Sequence, residues 1–134
     1  DYVIEAIDTV SGKLAIVKAC AAAKTPIVSC MGAGNKLDPT AFEVTDIYRT
    51  KVCPLAKVMR KLCRENGIKC LRVIYSREIP IAAAQSETAA KREGAYKPRV
   101  PGSVAFVPSV AGLIAAGEAV KAIAGVYGNG IDRS

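Results

Sequence analysis

The first thirty residues leave this chain few ways to fold. Asp1-Tyr-Val-Ile-Glu-Ala-Ile-Asp8 carries apolar side chains at Val3, Ile4, Ala6 and Ile7, with an acid at each end. A short run of this kind, rich in β-branched residues, reads as a buried strand of a parallel sheet. Apolar residues then recur at Leu14, Val17 and Ala21, and at Ile16 and Cys20, which is helical spacing. Thr9 or Ser11 is placed to cap that helix, and Thr25-Pro26 to stop it. Ile27-Val-Ser-Cys30 follows as a second buried strand. Strand, helix and strand in this order form a right-handed crossover between parallel neighbours. Ligands of open α/β sheets collect beyond the carboxyl ends of the strands, and Asp8 stands at that end. It is either a helix-capping acid or a ligand-binding one.

The remaining chain extends the same architecture. Met31-Gly-Ala-Gly-Asn-Lys36 has no third glycine and no helix directly after it, so it is not a dinucleotide fingerprint. It reads as a glycine turn or as a place where backbone approaches a ligand closely. Ala41 to Asp46 alternates like a strand. Arg49 to Asn66 is expected to hold the second helix, with Pro54 in its first turn and Leu55, Val58, Met59 and Leu62 on one apolar face. Asn66-Gly67 ends it, and Ile68 to Tyr75 is a further strand. Ser76 to Ser103 shows no apolar periodicity and is expected to be a mobile segment. Val104 to Val107 reads as a last short strand. Pro108 to Ala124 reads as a helix of small residues, capped by Gly125, with residues 127–134 as a flexible tail. The order β-α-β-β-α-β-loop-β-α makes one α/β domain with a mixed sheet flanked by helices.

Composition narrows the chemistry. The chain has no histidine among its 134 residues, which removes His-dependent triads, His proton relays and most catalytic zinc sites. Its net charge of +7 favours anionic partners such as nucleotides or RNA. The cysteines, Cys20, Cys30, Cys53, Cys63 and Cys70, are odd in number and form no CxxC pair, which fits a reducing cytoplasm better than a disulfide framework. No uninterrupted apolar run approaches the roughly 20 residues of a membrane span, and Glu118 and Lys121 interrupt the last helix, so no membrane partner is expected. Asp1 enters directly inside a strand with no methionine ahead of it, so the chain is expected to belong to a longer one.

Three sets of residues carry candidate chemistry. Asp8 with Mg²⁺ is a candidate nucleotide-phosphate site, because Mg²⁺ takes one or two carboxylates plus phosphate oxygens. Lys13, one turn into the helix, is placed to reach the same region. Cys53 precedes Pro54 at a helix start with Lys51 and Lys57 nearby, an environment that favours thiolate, and is the candidate nucleophile. Lys57, Arg60, Lys61 and Arg64 share one helical stripe, which is either a solvated face or a phosphate-backbone contact surface.

The string Tyr2-Val-Ile-Glu-Ala-Ile-Asp8-Thr-Val-Ser-Gly-Lys13 closely resembles the ThiF/MoeB/HesA family of ubiquitin-activating-enzyme-like adenylating proteins. Gly32-Ala-Gly-Asn-Lys-Leu-Asp-Pro-Thr40, Val44-Thr-Asp-Ile47, Cys53-Pro-Leu-Ala56 and Pro101-Gly-Ser-Val-Ala-Phe-Val-Pro-Ser-Val-Ala-Gly112 resemble its tRNA threonylcarbamoyladenosine dehydratase branch. The resemblance runs from Asp1 to about Val126. It implies the C-terminal half of a Rossmann-like adenylating fold, here residues 1–126. It further implies ATP and Mg²⁺ as cofactors, tRNA as a partner, and a homodimer whose interface lies at or near the last helix. By motif match Asp8 becomes a Mg·ATP residue and Lys13 its neighbour. Cys53 stands where some relatives have Asp. The family's glycine-rich half of the ATP site is absent from this sequence. Two rival readings remain: activation of a ubiquitin-like sulfur-carrier protein, whose activators often carry the CxxC pairs missing here, and a non-enzymatic basic module that binds RNA or dimerises.

Overall fold

A computed structural model describes residues 1–81 and 102–126. The elements run β1 (Val3–Glu5), α1 (Val10–Ala23), β2 (Ile27–Cys30), β3 (Phe42–Asp46), α2 (Pro54–Glu65), β4 (Arg72–Ser76) and α3 (Phe106–Ile123), with 3₁₀ turns at Pro39–Ala41 and Ile47–Arg49. The sheet has the order β1-β2-β4-β3. β1, β2 and β4 are parallel, with Ile4 opposite Val28 and Ser29 opposite Val73, while β3 runs antiparallel to β4 with Val44 opposite Ile74. The segment expected to be mobile lies largely outside the described residues, as does the expected tail.

Alternation along the strands assigns the two faces. Val73 and Tyr75 point to one side, into a core with Val17 of α1 and with Ala56, Met59 and Cys63 of α2. Val28 and Ile74 point to the other, against Ala111 and Ala115 of α3. Of the small residues of α3, Ala111, Ala115 and Ala119 are buried and allow a close approach, whereas Gly112 and Ala116 are exposed. Glu118 anchors the helix from within this layer. Its carboxylate, 4 % exposed, accepts from Arg72 Nε of β4 at 2.7 Å and from Lys121 Nζ at 2.5 Å.

Four element boundaries differ from the sequence reading, each for a local reason. β1 pairs only from Val3 to Glu5, because the Glu5 carboxylate takes the Ile7 amide at 2.7 Å and draws the chain off the ladder. The second helix begins at Pro54 rather than Arg49, since a residue before proline is pushed out of the helical region, and Cys53 has φ −90° and ψ 117°. β4 begins at Arg72 rather than Ile68, because Ile68 N is spent on Cys63 O in closing α2. Val104 to Val107 forms no strand. Phe106 opens α3, and Pro108 falls in its first turn, where a missing N–H costs nothing. At 18 residues that helix is long and apolar enough to cross a membrane by length and composition alone, although it carries Glu118 and Lys121, the charges on which the sequence expectation set a membrane aside.

Candidate functional site

α1, the crossover between parallel β1 and β2, begins at the carboxyl edge of the sheet. α2 follows the antiparallel β3, and its start reaches the same edge, because Gly32, just after β2, lies against Cys53 and Leu55. α3 begins there too, shortly after Gly102, whose amide and carbonyl both bond to Asn35 in the loop after β2. Helix N-termini carry unpaired amides and partial positive charge, so this edge favours anions.

At this edge the Glu5 carboxylate is completely enclosed. It accepts from Ile7 N at 2.7 Å, from Lys13 Nζ at 3.0 Å to each oxygen, and from Ser29 Oγ. Lys13 Nζ also donates to Cys30 O at 2.6 Å. Three acceptors match the three protons of an ammonium, and Lys13 is 2 % exposed. The sequence reading sends Lys13 toward a ligand. The structure turns it inward, because a buried carboxylate on the strand beneath needs a cation more than solvent does. Glu5 itself was missed. Its signal was an acid inside an otherwise apolar buried run, with a lysine one turn into the next helix.

Asp8 lies above this cluster, exposed, in the turn from β1 to α1. The N-cap of α1 is Thr9, which makes no side-chain capping bond, so the capping position is not held by Asp8. Among the described residues no hydrogen bond or ion pair engages the Asp8 carboxylate. A Cβ placed on Gly12 would lie 2.6 Å from both Ile7 Cδ1 and Thr9 Oγ1, so the side chains flanking Asp8 rest directly on the first turn of α1. No cluster of three or more metal-ligating side chains exists among the described residues. A single open carboxylate beside a helix N-terminus is what a phosphate-bound Mg²⁺ requires of the protein, since the ion draws its other ligands from phosphate and water.

The loop after β2 turns at Gly34-Asn35. The residue with positive φ is Asn35, at 57°. Asn35 is a tether that the sequence reading missed: its carbonyl accepts from Ile81 N at 2.7 Å, its amide donates to Gly102 O at 2.7 Å, and its Oδ1 accepts from Gly102 N at 3.0 Å. Glu78 holds the same loop by accepting from Leu37 N at 2.9 Å and Asp38 N at 2.8 Å. Bonds from the Thr40 side chain and amide hold the Asp38 carboxyl below its usual range. Lys36 is buried and donates to Gly32 O at 3.0 Å, and that burial lowers its pKa.

Cys53 does cap the start of α2, but as a buried side chain at 3 % exposure, in the core with Met31 and Ala56. The exposure expected of a nucleophile is missing because the Gly32 loop lies over it; a Cβ on Gly32 would sit 3.9 Å from the sulfur. All five cysteines are free thiols. Of the basic stripe, Arg60 donates to Thr50 O at 2.7 Å and Arg64 stacks 5.5 Å from the Tyr48 ring centroid. Lys57 and Lys61 face solvent, Lys61 within 3.8 Å of Glu65. A cavity of about 600 Å³, lined by Tyr2, Cys20, Ile27, Ile68 and Ala122, opens at the opposite, amino end of the sheet and takes no part in this edge.

The ThiF family model matches residues 1–133. The chain belongs to the ThiF family. It is 45 % identical over 127 residues to the tRNA threonylcarbamoyladenosine dehydratase of Bacillus subtilis, covering 90 % of this chain and 49 % of that protein. The Escherichia coli protein of the same name is 42 % identical over 65 residues, 48 % of this chain and 24 % of its own length. The crystal structure of the E. coli dehydratase in complex with ATP superposes with a TM-score of 0.74 at 29 % identity, over 95 % of this chain and 50 % of that one. The complex with AMP gives 0.75 at 28 % identity, over 92 % and 48 %. This ThiF-family chain thus spans about half the length of the B. subtilis protein and of the E. coli structures.

Proposed function

We propose that this chain supplies one half of an ATP-dependent adenylating enzyme that cyclises threonylcarbamoyladenosine in tRNA. The observation that carries the reading is the 45 % identity to a dehydratase of that name over 90 % of the chain. That same match favours it over activation of a sulfur-carrier protein. The substrate carboxylate is adenylated with loss of pyrophosphate, and ring closure then expels AMP. Asp8, open beside the N-terminus of α1, helps hold Mg·ATP. Mg²⁺, when bound, would offset phosphate charge there. Lys13 acts from beneath rather than as a phosphate contact.

The solvent-facing Lys57 and Lys61 would meet the tRNA backbone. The outer face of α3, where Phe106, Leu113 and Val120 recur at every seventh residue and stay exposed, would meet a second copy. Free cysteines accord with a reducing cytoplasm.

The test uses the full-length protein. Asp8→Asn should lower tRNA-dependent AMP release on the order of 100-fold, the worth of a few kcal/mol of charge stabilisation. Undiminished release overturns the assignment of Asp8. Lys57→Glu with Lys61→Glu should weaken tRNA binding and lower the slope of log affinity against log salt by roughly one per lost phosphate contact. An unchanged slope would move the RNA surface elsewhere.

A further inference from the structure

The buried cluster under the carboxyl edge does more than tie α1 to the sheet. An enclosed ion pair is weak evidence of stability, because apolar residues of similar volume often do as well. What this pair does specifically is geometric. One Glu5 oxygen takes the amide of Ile7, the residue before Asp8, at 2.7 Å. Both oxygens take Lys13 Nζ at 3.0 Å. The Lys13 amide in turn donates to the carbonyl of Thr9, the residue after Asp8, at 2.9 Å. Ser29 Oγ and the Cys30 carbonyl bind the pair to β2. Both neighbours of Asp8 are therefore fixed to one buried centre, and their side chains rest on Gly12. Asp8 is left between two fixed points with its own carboxylate open.

We propose that Glu5, Lys13 and Ser29 are positioning residues for Asp8, a clamp that presents its carboxylate at the sheet edge in one conformation. The role rests on the nucleotide reading above, in which Asp8 meets Mg·ATP. A carboxylate on a free turn would lose conformational entropy on binding the ion; one held in advance loses less. Partners that orient a metal-binding group from behind typically change metal affinity 10–100-fold. Lys13 thus serves the site from beneath, through the acid on the neighbouring strand.

Two measurements on the full-length protein test this. Ser29→Ala removes one support of Glu5, and Gly12→Ala pushes on the tips of Ile7 and Thr9; neither breaks the ion pair. Each should speed amide hydrogen exchange in the Ile7–Asp8 turn on the order of tenfold. Each should also weaken ATP binding about 10-fold in the presence of Mg²⁺ and leave binding in EDTA unchanged. In an Asp8→Asn background neither should have any further effect on Mg²⁺-dependent affinity. The proposal is overturned if Asp8→Asn abolishes the Mg²⁺ dependence while Ser29→Ala and Gly12→Ala alter neither exchange nor affinity. Faster exchange with an Asp8→Asn protein that binds Mg·ATP normally would uphold the clamp and overturn the nucleotide reading instead.

Discussion

Glu5 and Glu118 are both acids buried in a helix–sheet layer, yet they are built differently. Glu5 lies on the α1 side, with its side chain fully enclosed and its partner Lys13 2 % exposed. Glu118 lies on the α3 side, with Arg72 26 % and Lys121 47 % exposed. The first pair is shut away from water and salt; the second opens onto both. An enclosed pair holds its atoms to one geometry, because any displacement leaves a charge without solvent. A rim pair tethers an element and tolerates movement, because water replaces a lost contact. The enclosed pair sits beneath the turn that carries Asp8, and the rim pair holds a helix whose other face stays exposed.

Breaking the enclosed pair should have the largest effect. Lys13→Met or Glu5→Leu alone leaves an uncompensated buried charge, at a cost of about 3–5 kcal/mol. The double replacement should recover most of that loss. Urea denaturation of the three variants would measure it, and a double variant as costly as the two single ones added together would show that the charges act independently. Glu118→Gln should cost less, about 1–2 kcal/mol, since Arg72 and Lys121 both reach water. That cost should shrink in high salt. If Glu118→Gln proves as costly as Lys13→Met and insensitive to salt, the contrast between enclosed and rim pairs fails.

Lys36 sharpens the contrast as a buried cation whose hydrogen bond goes to a carbonyl, Gly32 O. Burial first lowers its pKa, with Cys53 and Glu78 acting in the opposite direction. Below the lowered pKa both folded and unfolded chains carry the proton, and the cost of burying it is present in full. Between that value and the ordinary lysine value near 10.4, the unfolded chain binds the proton more, so this group's contribution to stability rises with pH. Lys36→Met should therefore be more stable than the parent at neutral pH, with the gain narrowing as pH approaches 10. Paired thermal melts at several pH values would show it. A gain that does not change with pH would assign the effect to packing rather than to charge.

Much of the fold was legible because it rests on local patterns. Leu14, Val17 and Ala21 mark α1, and the apolar run Ile27 to Cys30 marks β2. Errors fell where a local rule met a partner distant in sequence. Val104 to Val107 has the residues of a strand but no strand to pair with among the described residues, and it enters α3 instead. Val58 keeps the helical period of Leu55, Met59 and Leu62, yet it is 46 % exposed, because the buried face of α2 centres on Ala56, Met59 and Cys63. Asn35 looked like one residue of a glycine loop; its three bonds to Ile81 and Gly102 join segments of the chain far apart in sequence.

Sequence alone determined the β-α-β start, the family, and Asp8 as the acid beyond the first strand, because each depends on residue order and spacing within a short window. Only the tertiary structure decided the direction of Lys13 and the enclosure of Cys53. It alone revealed Glu5 as the buried acid and Asp8 as the open one. Two carboxylates three positions apart look alike in a sequence. Glu5 is the last residue of β1 and lies beneath α1, so it must find a cation, whereas Asp8 lies past the strand in the turn and stays open, and both placements are settled only when β1, α1 and β2 pack together.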